Sequence, residues 1–145
     1  MALCLAIGVL LGLGLYTFQY AEGLSYLSND PKACMNCHAM REHYDSWTRS
    51  SHHAVATCND CHVPHHFPAK YLTKMENGWN HSKKFTLQNF KDPIRIRPTN
   101  LIKLQENCVL CHQIAVSEIV AHREVQRGQA RCTTCHRSVG HMSLD

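Results

Sequence analysis

Four copies of the motif Cys-x-x-Cys-His constrain this chain more than any other feature of its sequence. The motif is the attachment signature of c-type haem, in which both thiols bond to the porphyrin and the histidine that follows can ligate the iron. The motifs account for eight of the nine cysteines: Cys34, Cys37, Cys58, Cys61, Cys108, Cys111, Cys132 and Cys135. The sequence therefore predicts four covalently bound haem c groups.

Zinc ribbons and disulfide frameworks are the alternatives, because both also use C-x-x-C pairs. Neither requires a histidine after the second cysteine, yet every motif has one: His38, His62, His112 and His136. Haem attachment is therefore favoured. In bacteria this attachment takes place outside the cytoplasmic membrane, so we expect the domain that carries the motifs to lie in the periplasm.

The motifs form an internal repeat, since Cys34 and Cys58 are 24 positions apart and so are Cys108 and Cys132. We expect two similar modules, at about residues 30–90 and 100–145. Apolar residues are too few after the first twenty positions to build a conventional core. The expected fold is mostly α with long loops, a multihaem cytochrome c domain organised around its haems. Helices are predicted at 69–85 and at 113–127, the latter ended by Gly128, and Asp30 is a predicted helix cap.

The first 21 residues carry no charged side chain. About 20 helical residues cross the hydrocarbon layer of a membrane. A cleaved signal peptide is the alternative, but no basic residue precedes the apolar run and no small-residue cleavage site follows it. We expect 1–21 to be one N-terminal transmembrane anchor in the bacterial inner membrane and 22–145 to be periplasmic. Gly8 and Gly12 could support a homodimer contact through the anchor.

Eight histidines outside the motifs could supply distal ligands to the irons. The expected ligands are His52, His81 and His141, followed by His122. His43, His65 and His66 are expected at the surface, and His53 is undecided. In the first motif His38 and Met40 compete for one face of the iron, and the residues alone favour His38.

The charge pattern argues against nucleic-acid binding. The chain has 15 Lys and Arg against 11 Asp and Glu, a net charge of +4, and these charges are spread along the sequence. No basic cluster of the kind that follows a phosphate backbone is present.

Several segments resemble the NapC/NirT family of membrane-anchored quinol dehydrogenases, and in particular its small tetrahaem subunits of periplasmic cytochrome c nitrite reductase. They read SYLSNDPKACMNCHAM, WTRSSHH, AKYLTKMENGWNHS and CHRSVGH. The resemblance implies oxidation of menaquinol at the membrane surface. It also implies that electrons pass to a periplasmic multihaem reductase, which would be the catalytic nitrite reductase subunit of ammonia-forming nitrite respiration.

The resemblance also implies roles for individual residues. It makes Met40 the axial ligand of the first haem in place of His38, and it places Lys70 near that haem. Asn77 falls where the family usually has an aspartate, and an amide cannot accept a proton from quinol. Glu76 or Lys70 could act instead, or protons could leave through water. The alternatives are a membrane-tethered relay without a quinol site and an anchor for a different periplasmic reductase.

Overall fold

The computed structural model describes residues 1–142, so the last three residues of the expected second module lie outside it. Its first element is helix α1, Ala2–Tyr20, which is exposed along its whole length. With a mean hydropathy of 1.9, α1 is the one helix among the described residues that is long and apolar enough to cross a membrane. It is the predicted anchor. A Cβ atom placed at Gly8 or Gly12 would have no side chain and no other segment of the described chain within 4 Å.

The described remainder of the chain is helical with connecting loops, which confirms the predicted fold class. Short 3-10 helices span Gly23–Leu27, His38–Met40 and Val120–His122. The α-helices are α2 (Lys32–Met35), α3 (Arg41–Thr48), α4 (Cys58–His62), α5 (Ala69–Thr86), α6 (Pro98–Cys111), α7 (Gln113–Glu118), α8 (Arg123–Gln126) and α9 (Cys132–Cys135). The prediction of a helix at 69–85 is confirmed by α5. The N-cap of α2 is Pro31 and not the predicted Asp30, whose carboxylate accepts the N–H of Lys32 at 2.9 Å.

The prediction of one continuous helix at 113–127 is wrong. The chain is extended at Ile119, with φ −83° and ψ 118°, and helix resumes only after a 3-10 turn. The break places the Nδ1 atom of His122 3.0 Å from the carbonyl oxygen of Ala115, so the imidazole ring is fixed by a bond to the preceding helix. The predicted end at Gly128 is correct, because this residue has the left-handed φ of +71° that glycine adopts without strain.

The apolar core is very small. Among residues 1–142 only Val63 and Val116 are buried hydrophobic side chains, at 5% and 9% exposure. A domain of this size ordinarily buries many more apolar side chains to offset its conformational entropy. The thin core agrees with the expectation that haem groups, and not side chains, fill the interior.

Side-chain amides connect the two halves of the domain. The Nδ2 atom of Asn107, just before the third motif, donates to the carbonyl oxygens of Cys61 and Val63 at 3.0 Å each. The Oε1 atom of Gln105 accepts the N–H of Cys132 at 2.9 Å. Helix α6 is therefore bonded both to the second motif and to the fourth.

A buried lysine joins α5 to the segment that leaves the anchor. Lys74 is 2% exposed, and its ammonium group donates to the carbonyl oxygens of Tyr26 (3.3 Å), Leu27 (3.1 Å) and Ser28 (2.5 Å). Burial, and then the charge of Lys70, lower its pKa. Gly78 lets α5 come close to this segment, since a Cβ there would lie 3.3 Å from the ring of Tyr26.

Candidate haem-binding site

The four motifs come together in pairs that follow the internal repeat. The thiol of Cys34 lies near that of Cys58, and the thiol of Cys108 lies near that of Cys132. In the unmodified chain, the neighbouring Cys58 thiol and then the charge of Lys74 lower the pKa of Cys34, while the Cys34 thiol and burial raise the pKa of Cys58. The first cysteine of each motif therefore lies near the first cysteine of the other motif in the same module.

Hydrogen bonds of side chains near the first two motifs hold those motifs in place. Thr57 and Asp60 form a capping box, in which the N–H of Thr57 donates to the Asp60 carboxylate at 2.8 Å and the Thr57 side chain accepts the N–H of Asp60. The helix of the second motif consequently starts at Cys58. At the first motif, Asn36 donates to the carboxylate of Glu22 (2.9 Å) and to the hydroxyl of Ser25 (3.1 Å). The first motif is thereby tied to the residues directly after the anchor.

Three motif histidines each face a histidine from outside the motifs. The ring centroids are 6.0 Å apart for His62 and His141, 5.9 Å apart for His52 and His112, and 6.2 Å apart for His122 and His136. Two of these pairs join the two halves of the domain. Burial, followed by the charges of His141 and His43, lowers the pKa of His62 to about 4, which favours the neutral imidazole that metals bind.

The three non-motif histidines share one hydrogen-bonding arrangement. The Nδ1 atom lies 3.0 Å from the carbonyl oxygen of Val139 in His52, 3.0 Å from that of Ala115 in His122, and 3.2 Å from that of Met142 in His141. A carbonyl only accepts, so Nδ1 carries the proton and donates, which leaves Nε2 with a free lone pair. This is the arrangement that orients histidine as a metal ligand.

The spacing within the three histidine pairs fits an iron between the rings. Two metal–nitrogen bonds of about 2 Å each, together with the distance from each nitrogen to its ring centre, place two imidazole centroids about 6 Å apart. The buried Nη1 atom of Arg97 also has no partner among the described residues. A guanidinium group pairs well with a carboxylate such as a haem propionate. The donor set, the spacing and the small core all fit covalent haem.

The first motif has a different environment. His38 and Met40 lie on the same 3-10 helix, where His38 is exposed and Met40 is half-buried. Within the described chain, His38 makes no ring contact with another histidine, in contrast to the three other motif histidines. The choice between His38 and Met40 as ligand stays a prediction.

The remaining histidines have varied surroundings. His81 makes no ring contact with a motif histidine in residues 1–142, so its role as a ligand also stays a prediction. The Nε2 atom of His65 is used in a contact of 2.8 Å with the carbonyl oxygen of Asp60. His53 packs against the ring of Trp47. The surface position expected for His43 is wrong, because its half-buried ring packs against His141 at 4.9 Å.

The residues that the family resemblance points to lie on α5. Asn77 is buried and its Oδ1 atom accepts a hydrogen bond of 2.8 Å from Asn100. Glu76 forms ion pairs with Arg97 and with Lys103, which lower its pKa. Lys70 lies one helical turn before Lys74. Sequence reasoning missed Lys74 itself, because nothing in the pattern of α5 distinguishes a buried lysine from a solvated one.

Comparison with known proteins agrees with the motifs and the geometry. The sequence profile described as the NapC/NirT cytochrome c family, N-terminal region, matches residues 1–145. The cytochrome c-type protein NrfH of Wolinella succinogenes is 39% identical over 142 residues, which are 92% of this chain and 80% of the relative. The cytochrome c nitrite reductase subunit NrfH of Nitratidesulfovibrio vulgaris is 32% identical over 124 residues, which are 86% of this chain and 74% of the relative.

A solved structure has the same fold. One chain in the crystal structure of the cytochrome c nitrite reductase NrfHA complex bound to the HQNO inhibitor superposes with a TM-score of 0.68 at 28% identity, covering 97% of this chain and 92% of that chain. The profile match, the two relatives and the shared fold all indicate the same family. This chain belongs to the NapC/NirT cytochrome c family and is a membrane-anchored, c-type haem protein of electron transport.

Proposed function

We propose that this chain holds four haem c groups, oxidises menaquinol, and passes the electrons to a periplasmic multihaem reductase, the catalytic subunit of a nitrite reductase complex. Both NrfH relatives and the NrfHA complex support this assignment, because nitrite reductase appears in the names of one relative and of the complex. The observation that carries it is the set of three facing histidine pairs beside thiols arranged for haem attachment.

The three histidine pairs would hold the irons of three haems. We assign His62 and His141 to the haem at Cys58 and Cys61, His112 and His52 to the haem at Cys108 and Cys111, and His136 and His122 to the haem at Cys132 and Cys135. When bound, haem supplies reversible one-electron transfer at iron. An iron held by two of these histidines would have no position open for substrate, which would suit electron transfer.

The first haem, at Cys34 and Cys37, is the entry point for electrons. Its motif is the one bonded to Glu22 and Ser25, directly after the anchor, so it lies closest to the lipid quinol pool. We retain Met40 as its axial ligand, with His38 as the alternative, because the family resemblance favours Met40. The domain that starts at Glu22 faces the periplasm, where its partner reductase collects the electrons.

Quinol oxidation releases protons as well as electrons, so a nearby base is required. Lys70 and Asn77 are seven residues apart and therefore share one face of α5. Asn77 cannot accept a proton, but its buried amide can hydrogen-bond a quinol hydroxyl. Glu76 points toward Arg97 and Lys103, and its lowered pKa makes it a weak base. We therefore assign water as the proton acceptor, and we assign Lys70, a cation, to stabilise the quinolate oxygen that is left when the proton departs.

The direct test is reduction of the purified, full-length holoprotein by a menaquinol analogue. We expect the analogue to reduce haem to an extent set by the haem potentials, and we expect HQNO to slow this reduction. Dithionite is the control and should reduce every haem. Reduction by dithionite without any reduction by the quinol analogue would identify the chain as a relay between proteins and overturn the quinol assignment.

Replacing Lys70 tests its proposed role in stabilising the quinolate. We expect Lys70→Met to slow haem reduction by the quinol analogue at least about tenfold, because the charge that stabilises the quinolate is lost, and to leave reduction by dithionite unchanged. Lys70→Arg keeps the charge, so it should retain most of the quinol-driven rate. Lys91→Met, at an exposed position in the loop that follows α5, is the matched control. A Lys70→Met protein that oxidises quinol at the unmodified rate would contradict the assignment.

A further inference from the structure

Helix α5 buries polar side chains and exposes apolar ones, which is the reverse of an amphipathic helix in a water-soluble domain. The side chains that it buries are polar: Thr73, Lys74 and Asn77. Exposed large apolar side chains lie on its other side, which we call the apolar face of α5: Tyr71, Leu72, Met75 and Trp79. Successive residues of a helix are about 100° apart around its axis, so these four positions are centred on the side of the helix opposite Asn77. Trp79 is 70% exposed.

The polar face of α5 is the one that looks into the domain. It carries Lys74, which is bonded to the chain that leaves the anchor, and Asn77, which is bonded to Asn100 of α6. The first two haem motifs lie on this inner side, since Asn36 donates to Ser25 and Asn59 donates to the carbonyl oxygen of Ser28, in the segment that Lys74 holds. The apolar face therefore points away from the domain and from the first motif.

The position of α5 along the chain brings this face close to the membrane. Lys74 binds the carbonyl oxygens of residues 26–28, and α1 ends at Tyr20. The intervening 3-10 helix has five residues, so at about 2 Å per residue it adds only about 10 Å beyond the end of the span. The headgroup region on one side of a bilayer adds about 5–7 Å to the hydrocarbon core, so residues 26–28 lie within a few ångströms of it. Leu24 and Leu27 on this 3-10 helix are also exposed.

We propose that the apolar face of α5 is seated in the interface of the same bilayer that α1 crosses. The composition of the face fits lipid, because tyrosine and tryptophan favour the headgroup level and the exposed Lys83 can reach anionic phosphates from the edge of the face. Seated in this way, α5 and α1 hold the domain at two points on the membrane. The proposal depends on the anchor alone and not on quinol oxidation.

The test is photocrosslinking of the full-length holoprotein in vesicles of phosphatidylethanolamine and phosphatidylglycerol. Benzoylphenylalanine replaces Trp79, and after irradiation the adducts are identified by mass spectrometry. We expect lipid adducts at position 79 in at least tenfold excess over the same substitution at Ile114, which is equally exposed at 73% but lies on α7. Position 72 serves as a second probe on the same face if the variant at 79 does not assemble its haems.

Two outcomes would overturn the proposal. Lipid adducts at positions 79 and 72 that are no more frequent than at 114 would show that the face is not in the bilayer. Adducts to a protein or to haem, in place of lipid, would assign the face to a partner subunit or to the haem interior. A failure of quinol-driven reduction in the same vesicles with lipid adducts intact would count only against the proposed function.

Discussion

Removal of the His122 side chain should leave one coordination position vacant on the iron of one of the four haems. The ring of His122 faces His136 of the fourth motif, and its Nδ1 atom is held by the carbonyl of Ala115. His122→Ala leaves that iron with a single protein ligand, so we expect electron paramagnetic resonance to show high-spin ferric signal gained at the expense of low-spin signal from one haem. Added imidazole should restore the low-spin state by entering the vacated position.

The matched control for this experiment is His65→Ala. Its Nε2 atom is engaged with the carbonyl of Asp60, so it is not available to an iron, and the spectrum should stay that of the unmodified protein. His52→Ala and His141→Ala should each give a similar change at a different haem. A His122→Ala protein with an unchanged low-spin spectrum would show that the facing rings do not bracket an iron.

Loss of the first haem should abolish reduction by quinol. In the double variant Cys34→Ser and Cys37→Ser neither thiol can bond to the porphyrin, so the entry point next to the anchor is missing. We expect the quinol analogue to reduce the remaining haems at no more than about a hundredth of the unmodified rate, which corresponds to a difference of about 2.7 kcal/mol in activation free energy. Dithionite should still reduce three haems.

The control for this second experiment is the double variant Cys132→Ser and Cys135→Ser. It also loses one haem, but it keeps the first motif and its bonds to Glu22 and Ser25. Quinol-driven reduction should persist in this control. If loss of the first haem prevents assembly, Cys37→Ala alone, which keeps one thioether, provides a second variant. Equal quinol oxidation with and without the first haem would place the quinol site elsewhere.

The sequence predicts the haem-binding cysteines and the long helices because both depend on local patterns. The C-x-x-C-H spacing is a covalent requirement of haem attachment, and α5 follows from its helix-forming residues. Helix 113–127 could not be predicted as broken, because the break at Ile119 depends on where the ring of His122 must lie relative to His136. His122 and His136 are 14 positions apart, and local helix propensity does not depend on a contact between such distant residues.

Which histidines face each other could not be predicted from the sequence either. Of the eight non-motif histidines, sequence position favours His52, His81 and His141, followed by His122, but it does not say which motif histidine each one faces. The structure brings His52, His122 and His141 to motif histidines through bonds from Nδ1 to backbone carbonyls, which depend on the tertiary fold. The inverted polarity of α5 was missed for a similar reason, since a helical period shows that one face is apolar but not whether that face is buried or exposed.

The central claim is that the eight motif thiols carry four haems, and the mass of the intact, denatured polypeptide tests it most directly. Thioether bonds survive denaturation, so the account predicts the mass of the chain plus four haem groups, with no free thiol among the motif cysteines. A mass equal to that of the bare polypeptide, or increased only by zinc that a chelator removes, would contradict it.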